Sequence, residues 1–373
     1  MKKATLLLIA VVVISSIAVL IFWNSKPSNN RPQEPTKPYA YHSEDVTFQN
    51  TQANITLAGT LTLPAKEGNY PAVILITGSG AQTRDAEFFG HKPFLLIADY
   101  LTKNGIAVLR YDDRGFGQSF GDFFSATPLD FASDVESAIS YLKTRKEINK
   151  DNIGLVGHSE GGIIAPIVAS KSKDVSFIVL LAGPGILGKK GLMQQSELTL
   201  KTLGASEAEI QKTKEINAEI AKIIAKHQNT KALKADLTNY IQKNIKTIPT
   251  YLKPKEITKE QFISGQIEFI SSPAYQFIWN YDPAPTLEKV TCPVLALNGG
   301  KDLQVPPQEN LTAIGNALKK GGNKSLTIKE LPNLNHFFQE CTTGSPVEYA
   351  AIKQTFSPTA LTEISNWILK QVK

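Results

Sequence analysis

Gly157-His158-Ser159-Glu160-Gly161 sets a serine between two glycines, each two positions away. A serine hydroxyl can attack a carbonyl carbon when a neighbouring base takes its proton and an acid orients that base. The base must come from five histidines. His158 lies inside the glycine motif, and its side chain is expected to point away from Ser159. His42 comes too early in the chain to meet strand ends formed later. His91 follows the first core strand and is expected to serve packing, and His227, in a lysine-rich helical stretch, is expected to be solvated. His336 remains, in the loop Leu331-Pro332-Asn333-Leu334-Asn335-His336-Phe337-Phe338, after a run that alternates like a strand. The acid candidate is Asp302, which closes the turn Gly299-Gly300-Lys301-Asp302. An aspartate there is ordinary turn chemistry, but this one ends an apolar run and lies between the serine and the histidine. Ser159, Asp302 and His336 are therefore the candidate catalytic residues.

These side chains need elements to hold them. Ile153-Gly154-Leu155-Val156 reads as a buried strand, and Gly162-Ile163-Ile164-Ala165-Pro166-Ile167-Val168-Ala169 begins an apolar helix. A Gly-x-Ser-x-Gly on a strand-to-helix turn is a nucleophile elbow, which strains the serine backbone and needs glycines to avoid clashes. Tyr70-Pro71-Ala72-Val73-Ile74-Leu75-Ile76 reads as another strand, emptying into Thr77-Gly78-Ser79-Gly80. That turn is not a dinucleotide phosphate loop, because Thr83 occupies the place of the third glycine.

With these motifs in the order Ser, Asp, His, the chain resembles the α/β-hydrolase superfamily over about residues 44 to 371. Arg110-Tyr111-Asp112-Asp113-Arg114-Gly115-Phe116-Gly117-Gln118-Ser119 looks like the superfamily's Asp-x-Arg-Gly-x-Gly-x-Ser turn. Arg114 and the glycines are expected to hold that loop without chemistry of their own. The branch it looks most like is the serine carboxylesterases related to acylaminoacyl-peptidase and dienelactone hydrolase. The resemblance implies an oxyanion hole, backbone donors placed where negative charge develops, and assigns it to the N–H groups of Ser79 and Glu160. Two departures stand out. Many members begin the oxyanion loop with His-Gly, where this chain has Thr77-Gly78, and dienelactone hydrolases use a cysteine nucleophile where this chain has Ser159.

The 373 residues suffice for a large core, with 42% hydrophobic and 20% charged residues, as expected of a globular protein. The net charge of +6 comes from scattered lysines without interleaved aromatics, which argues against a nucleic-acid partner. Met1-Lys2-Lys3 precedes an uncharged run from Ala4 to Trp23. About 20 residues at about 1.5 Å each span roughly 30 Å, the thickness of a bilayer's hydrocarbon core. Residues 1–24 are therefore expected to be a retained membrane anchor with the catalytic domain outside the cytoplasm; a cleaved signal sequence, suggested by Ser16-Ile17-Ala18, is the alternative. Residues 25–40, with Pro27, Pro32, Pro35 and Pro38, read as an extended tether. Cys292 and Cys341 are expected at opposite ends of the sheet and both free.

The opening segments, residues 45–49 and 55–63, alternate as an antiparallel pair. Apolar strands follow at 73–76, 106–110, 153–156, 177–181, 294–298 and 326–331, with helical segments between them, among them a helix over 130–142. This predicts an α/β fold built on a mostly parallel, doubly wound eight-stranded sheet, formed by residues 41–185 and 286–373. Residues 186–285 carry no strand signal but several amphipathic helical stretches, such as 207–226 and 231–245, and read as a helical cap over the pocket. Phe269 and Trp279 are candidates to line an acyl site. No cofactor is implied, and no cluster has metal-ligand spacing. The expected activity is hydrolysis of a small-molecule carboxylic ester through an acyl-enzyme. The alternatives are cleavage of a short peptide by the same triad and a catalytically silent binding protein.

Overall fold

A computed structural model describes residues 31–227, 230–244 and 258–372. The expected anchor, residues 1–24, lies outside them. Among the described residues no helix is long and apolar enough to cross a membrane.

Eight strands form one sheet: β1 (His42–Asn50), β2 (Ile55–Leu63), β3 (Tyr70–Ile76), β4 (Ala107–Tyr111), β5 (Ile148–His158), β6 (Phe177–Leu181), β7 (Val294–Gly299) and β8 (Leu326–Leu331). Their spatial order is β1-β2-β4-β3-β5-β6-β7-β8. β1 and β2 pair antiparallel and β2 meets β4 antiparallel, whereas every pairing from β4 to β8 is parallel. The continuous apolar runs of β3 to β7 are buried because helices cover both faces. On one face, helices α2 (Pro128–Thr144), α3 (Gly161–Ala169) and α10 (Pro307–Lys320) bury Val135, Ile139, Ile164, Val168 and Ile314. On the other, α1 (Pro93–Lys103) and α11 (Pro358–Gln371) bury Ile97, Leu101, Ile364 and Ile368. α1, α2, α10 and α11 each open with proline in the first turn, where its missing N–H leaves no bond unmade.

Several strands run longer than their apolar cores. β5 begins at Ile148, across from Tyr70, and crosses the polar stretch Asn149-Lys150-Asp151-Asn152 before its buried part. The Ile148–Tyr70 pair extends it across a bulge, the next pair being Ile153–Ala72, and no apolar pattern marks that extension. β1 likewise starts at His42, which pairs with Leu63, so His42 lies within the strand and not ahead of it.

The Pro-rich segment is not a free tether over its second half. Arg31 is buried and donates to the carbonyls of Phe89 and, at 2.8 Å, Ile352. The Gln33 side chain accepts from Thr355 N–H at 2.6 Å and donates to the Phe356 carbonyl at 2.9 Å. A segment too polar to build a core can still dock when its polar side chains satisfy buried loop groups.

Between β6 and β7 the described residues hold helices and no strand: α4 (Gly188–Thr202), α5 (Glu207–Lys226), α6 (Thr230–Asn244), α7 (Lys259–Ile270), α8 (Pro273–Asn280) and the short α9 (Ala284–Leu287). Ser206 starts α5 with a capping box, its N–H donating to Glu209 Oε2 at 2.8 Å. The insertion has its own apolar cluster, in which Ile216, Ile220, Ile224, Leu233, Leu237 and Ile267 meet. Phe277 and Tyr281 pack instead against the core beneath. Trp279 is buried inside the insertion's cluster, stacked on Tyr275, and Phe269 packs edge-on against the same tyrosine. Both are sequence candidates for lining a pocket. Helical spacing turns Trp279 into the insertion's interior and leaves Phe269 half-buried at its margin, since apolar residues pack first where two helix faces meet. His227 also differs from expectation: it caps the end of α5, with Nε2 2.9 Å from Asp236 Oδ2. Cys292 and Cys341 are free.

Candidate active site

The parallel strands bring three chain segments to one edge of the sheet. Ser159 follows β5, Asp302 follows β7, and His336 sits in the loop after β8. Ser159 has φ +53°, a left-handed conformation unusual for any residue but glycine. Its strain is held by Ser159 N–H donating to Leu181 O at 2.9 Å and by α3, which starts two residues later. The flanking glycines are steric necessities. A Cβ at Gly157 would lie 2.0 Å from Gly161 O, and one at Gly161 would lie 2.4 Å from Ile76 O.

Asp302 and His336 are each only 2% exposed. Asp302 Oδ1 accepts two backbone N–H groups, from Gln304 at 2.8 Å and Val305 at 2.9 Å. Its Oδ2 faces His336 Nδ1 at 2.8 Å. A carboxylate only accepts, so Nδ1 carries the proton and Nε2 is left as the free base. The loop that presents His336 is tied by Asn335, whose Oδ1 accepts the N–H groups of Phe337 and Gln339, each at 3.0 Å. It can lie against β7 only because Gly299 has no side chain: a Cβ there would be 2.3 Å from Leu334 O.

His158 joins the serine and histidine segments. Its ring lies 4.8 Å from that of His336, and its Nε2 donates to His336 O at 3.0 Å. Burial, and next the neighbouring His336, push its pKa down to about 3, so the ring is neutral at ordinary pH and the bond persists. The strand alternation that turns His158 away from Ser159 thus turns it toward the base's own backbone. Opposite Ser159 stands Gly78, where an added Cβ would come within 3.2 Å of Ser159 Cβ.

Ser79 and Glu160 lie together beside this point, with the Ser79 side chain near the Glu160 carboxyl. Among the described residues neither backbone N–H has an acceptor. Burial raises the Glu160 carboxyl, whose Oε1 has no partner among the described residues. A cavity of about 10 Å³ behind the elbow is lined by Glu160, Asp113, Asp134, Thr77 and Gly78 among others. No group of His, Cys, Asp or Glu among the described residues could hold a metal. Arg114 grips Asp134 through Nε and a terminal nitrogen at 2.7 and 2.9 Å, while Asp112 holds Arg84 at 2.7 Å. Sequence reasoning passed over Asp113 and the Glu160 side chain. Their one signal was a second acid beside the motif's expected Asp112 and an acid directly after the serine.

A twisted sheet of this order, with an elbow serine at the end of its central strand, is an α/β-hydrolase fold, and the protein is a hydrolase of that superfamily. Residues 92–339 match the serine aminopeptidase S33 family, and the chain belongs to it. The match spans Ser159, Asp302 and His336 but begins after Ser79. Esterase EstD of Thermotoga maritima is 26% identical over 357 residues, covering 95% of this chain and 74% of EstD. The hypothetical protein PA2218 of Pseudomonas aeruginosa superposes with a TM-score of 0.58 at 15% identity, covering 93% of this chain and 99% of that one. The Pyrococcus furiosus esterase Pf2001 superposes at 0.54 with 16% identity, covering 89% and 92%.

Proposed function

We propose that the protein is a serine carboxylic-ester hydrolase that works through an acyl-enzyme. The observation that carries this reading is the buried Asp302–His336 bond at the sheet edge where β5 delivers a positive-φ serine. In the proposed reaction Ser159 Oγ attacks the ester carbonyl and passes its proton to His336 Nε2. Charge on the carbonyl oxygen is met by the N–H groups of Ser79 and Glu160. Collapse of the tetrahedral intermediate breaks the C–O bond, and the imidazolium protonates the departing alcohol. Water, activated by His336, then hydrolyses the acyl group from Ser159. Asp302 holds the Nδ1–H of His336 and stabilises the imidazolium.

The similarity to esterases EstD and Pf2001 supports an ester substrate. The family's description as serine aminopeptidases supports a second reading, cleavage of a short peptide by the same groups. Rates on graded acyl p-nitrophenyl esters and on aminoacyl p-nitroanilides separate the two. For either, a fluorophosphonate should label Ser159, and Ser159→Ala should abolish both labelling and turnover. Labelling at another serine, or turnover surviving the change, refutes the assignment. The insertion between β6 and β7 is proposed to act as a cap that sets substrate range. Residues 1–24 are proposed to hold the enzyme at a membrane outside the cytoplasm, so that the full chain sediments with membranes. Recovery of a soluble mature chain starting near Val19 would exclude the anchor.

A further inference from the structure

The turn that carries the Ser79 N–H has little to hold it. Thr77-Gly78-Ser79-Gly80-Ala81-Gln82 contains two glycines, one of them Gly80 at φ +93°, and Ser79 and Gly80 are exposed. Such a turn samples many conformations unless something outside it fixes the backbone. Asp113, on the turn after β4, does so from both ends. Its Oδ1 accepts from Thr77 Oγ1 at 2.7 Å, and its Oδ2 accepts from Gln82 N–H at 2.8 Å. Its own N–H donates to Gln82 O at 3.1 Å. The Gln82 side chain braces the turn from within, donating to Gly78 O at 3.2 Å.

Asp113 also lines the cavity shared with Glu160, the residue that bears the other proposed donor. The Ser79 side chain lies near that same Glu160 carboxyl. The two donor-bearing segments therefore meet at one cavity, with Asp113 bonded to the first of them and facing the second. Burial, with Glu160 and Asp134 nearby, pushes the Asp113 carboxyl up to about 8.

We infer that Asp113 is a positioning residue for the reaction: by clamping both ends of the 77–82 turn it fixes the Ser79 N–H relative to that of Glu160, without touching substrate. This rests on the serine-hydrolase reading above. It makes a demand that a merely structural role does not, since the clamp should matter more to the tetrahedral oxyanion than to bound substrate.

The test uses the full chain and a p-nitrophenyl butyrate assay, with active sites counted by fluorophosphonate labelling of Ser159. Asp113→Leu removes both acceptors, while Asp113→Asn keeps an acceptor for Gln82 N–H and a donor for the Thr77 hydroxyl. Asp113→Leu should lower kcat per labelled site by about 10- to 100-fold while KM stays within about threefold, because a misplaced donor loses part of what a deleted one would. Affinity for a trifluoromethyl ketone, which forms a tetrahedral oxyanion on the serine, should fall by the same factor, and Asp113→Asn should recover most of both. Thr77→Val, with Thr77→Ser as its rescue, asks the same question should Asp113→Leu fail to fold. An unchanged kcat per labelled site, or a loss confined to the labelled fraction or to KM, overturns the inference. Absence of labelling at Ser159 in the wild type would overturn the hydrolase reading and this inference with it. Labelled wild type with indifferent variants overturns this inference alone.

Discussion

Asp302→Asn should cost three to four decades in kcat/KM while leaving the fold nearly untouched, and the geometry says why. The two backbone N–H groups of Gln304 and Val305 both reach Oδ1. An asparagine will therefore keep its carbonyl oxygen there and place its NH2 where Oδ2 stood, 2.8 Å from His336 Nδ1. An NH2 only donates, so His336 must accept at Nδ1 and carry its proton on Nε2, the atom that should take the proton of Ser159. The substitution also removes the charge that offsets the imidazolium. At 2.8 Å and an effective dielectric of about 20, that attraction is about 6 kcal/mol, an upper bound of roughly four decades in rate. The turn keeps its backbone bonds, so the midpoint of thermal unfolding should move by only a few degrees. Steady-state hydrolysis of p-nitrophenyl butyrate, normalised by active-site titration, measures the effect. A variant that keeps kcat/KM within tenfold of wild type would refute the tautomer argument and Asp302 as the orienting acid.

Trp279→Ala should behave as a core deletion, lowering stability by about 3–5 kcal/mol while leaving acyl-chain preference as it was; a shift in chain-length preference at unchanged stability would place Trp279 at the substrate after all. His91 gives a pH signature. Burial, and next Arg31, hold it at about 4 instead of 6.5. The unfolded chain therefore takes a proton below pH 6.5 that the folded chain refuses until about 4, and stability is lost as pH falls through that window, by up to roughly 3 kcal/mol. His91→Gln should flatten the fall in melting temperature between pH 7 and 4.5, leaving the part due to His158, which acts in the same sense. Equal slopes in the two proteins would show that His91 takes up its proton in both states.

The fold and the chain positions of Ser159, Asp302 and His336 were legible in the sequence because their signals are local. A buried parallel strand announces itself as a short apolar run, and a turn at its end needs glycine or aspartate whatever lies elsewhere. Once several parallel strands follow one another, their C-terminal ends must share an edge, so chain order alone placed three residues near one another. Strand lengths were less legible: β5 reaches back across the bulged stretch Asn149 to Asn152 to pair Ile148 with Tyr70, a backbone pairing that side chains do not encode.

What only the tertiary structure decided are the meetings between residues far apart in the chain. Alternation turned His158 away from Ser159, but that it would meet His336 O, 178 residues on, depends on how the last loop folds over β5. Asp113 is marked locally only as a second acid beside the motif's own aspartate, yet folding sets it against Thr77 and Gln82. The aromatics of the insertion read equally well as pocket lining or as interior, because a helix's apolar face shows that it will be covered and not by what. Arg31 and Gln33, in a segment too polar to build a core, dock because the 350s loop offers them carbonyl and N–H groups. Local sequence fixes backbone conformation and which side chains turn inward, and the partner each one finds there is settled only when the whole sheet closes.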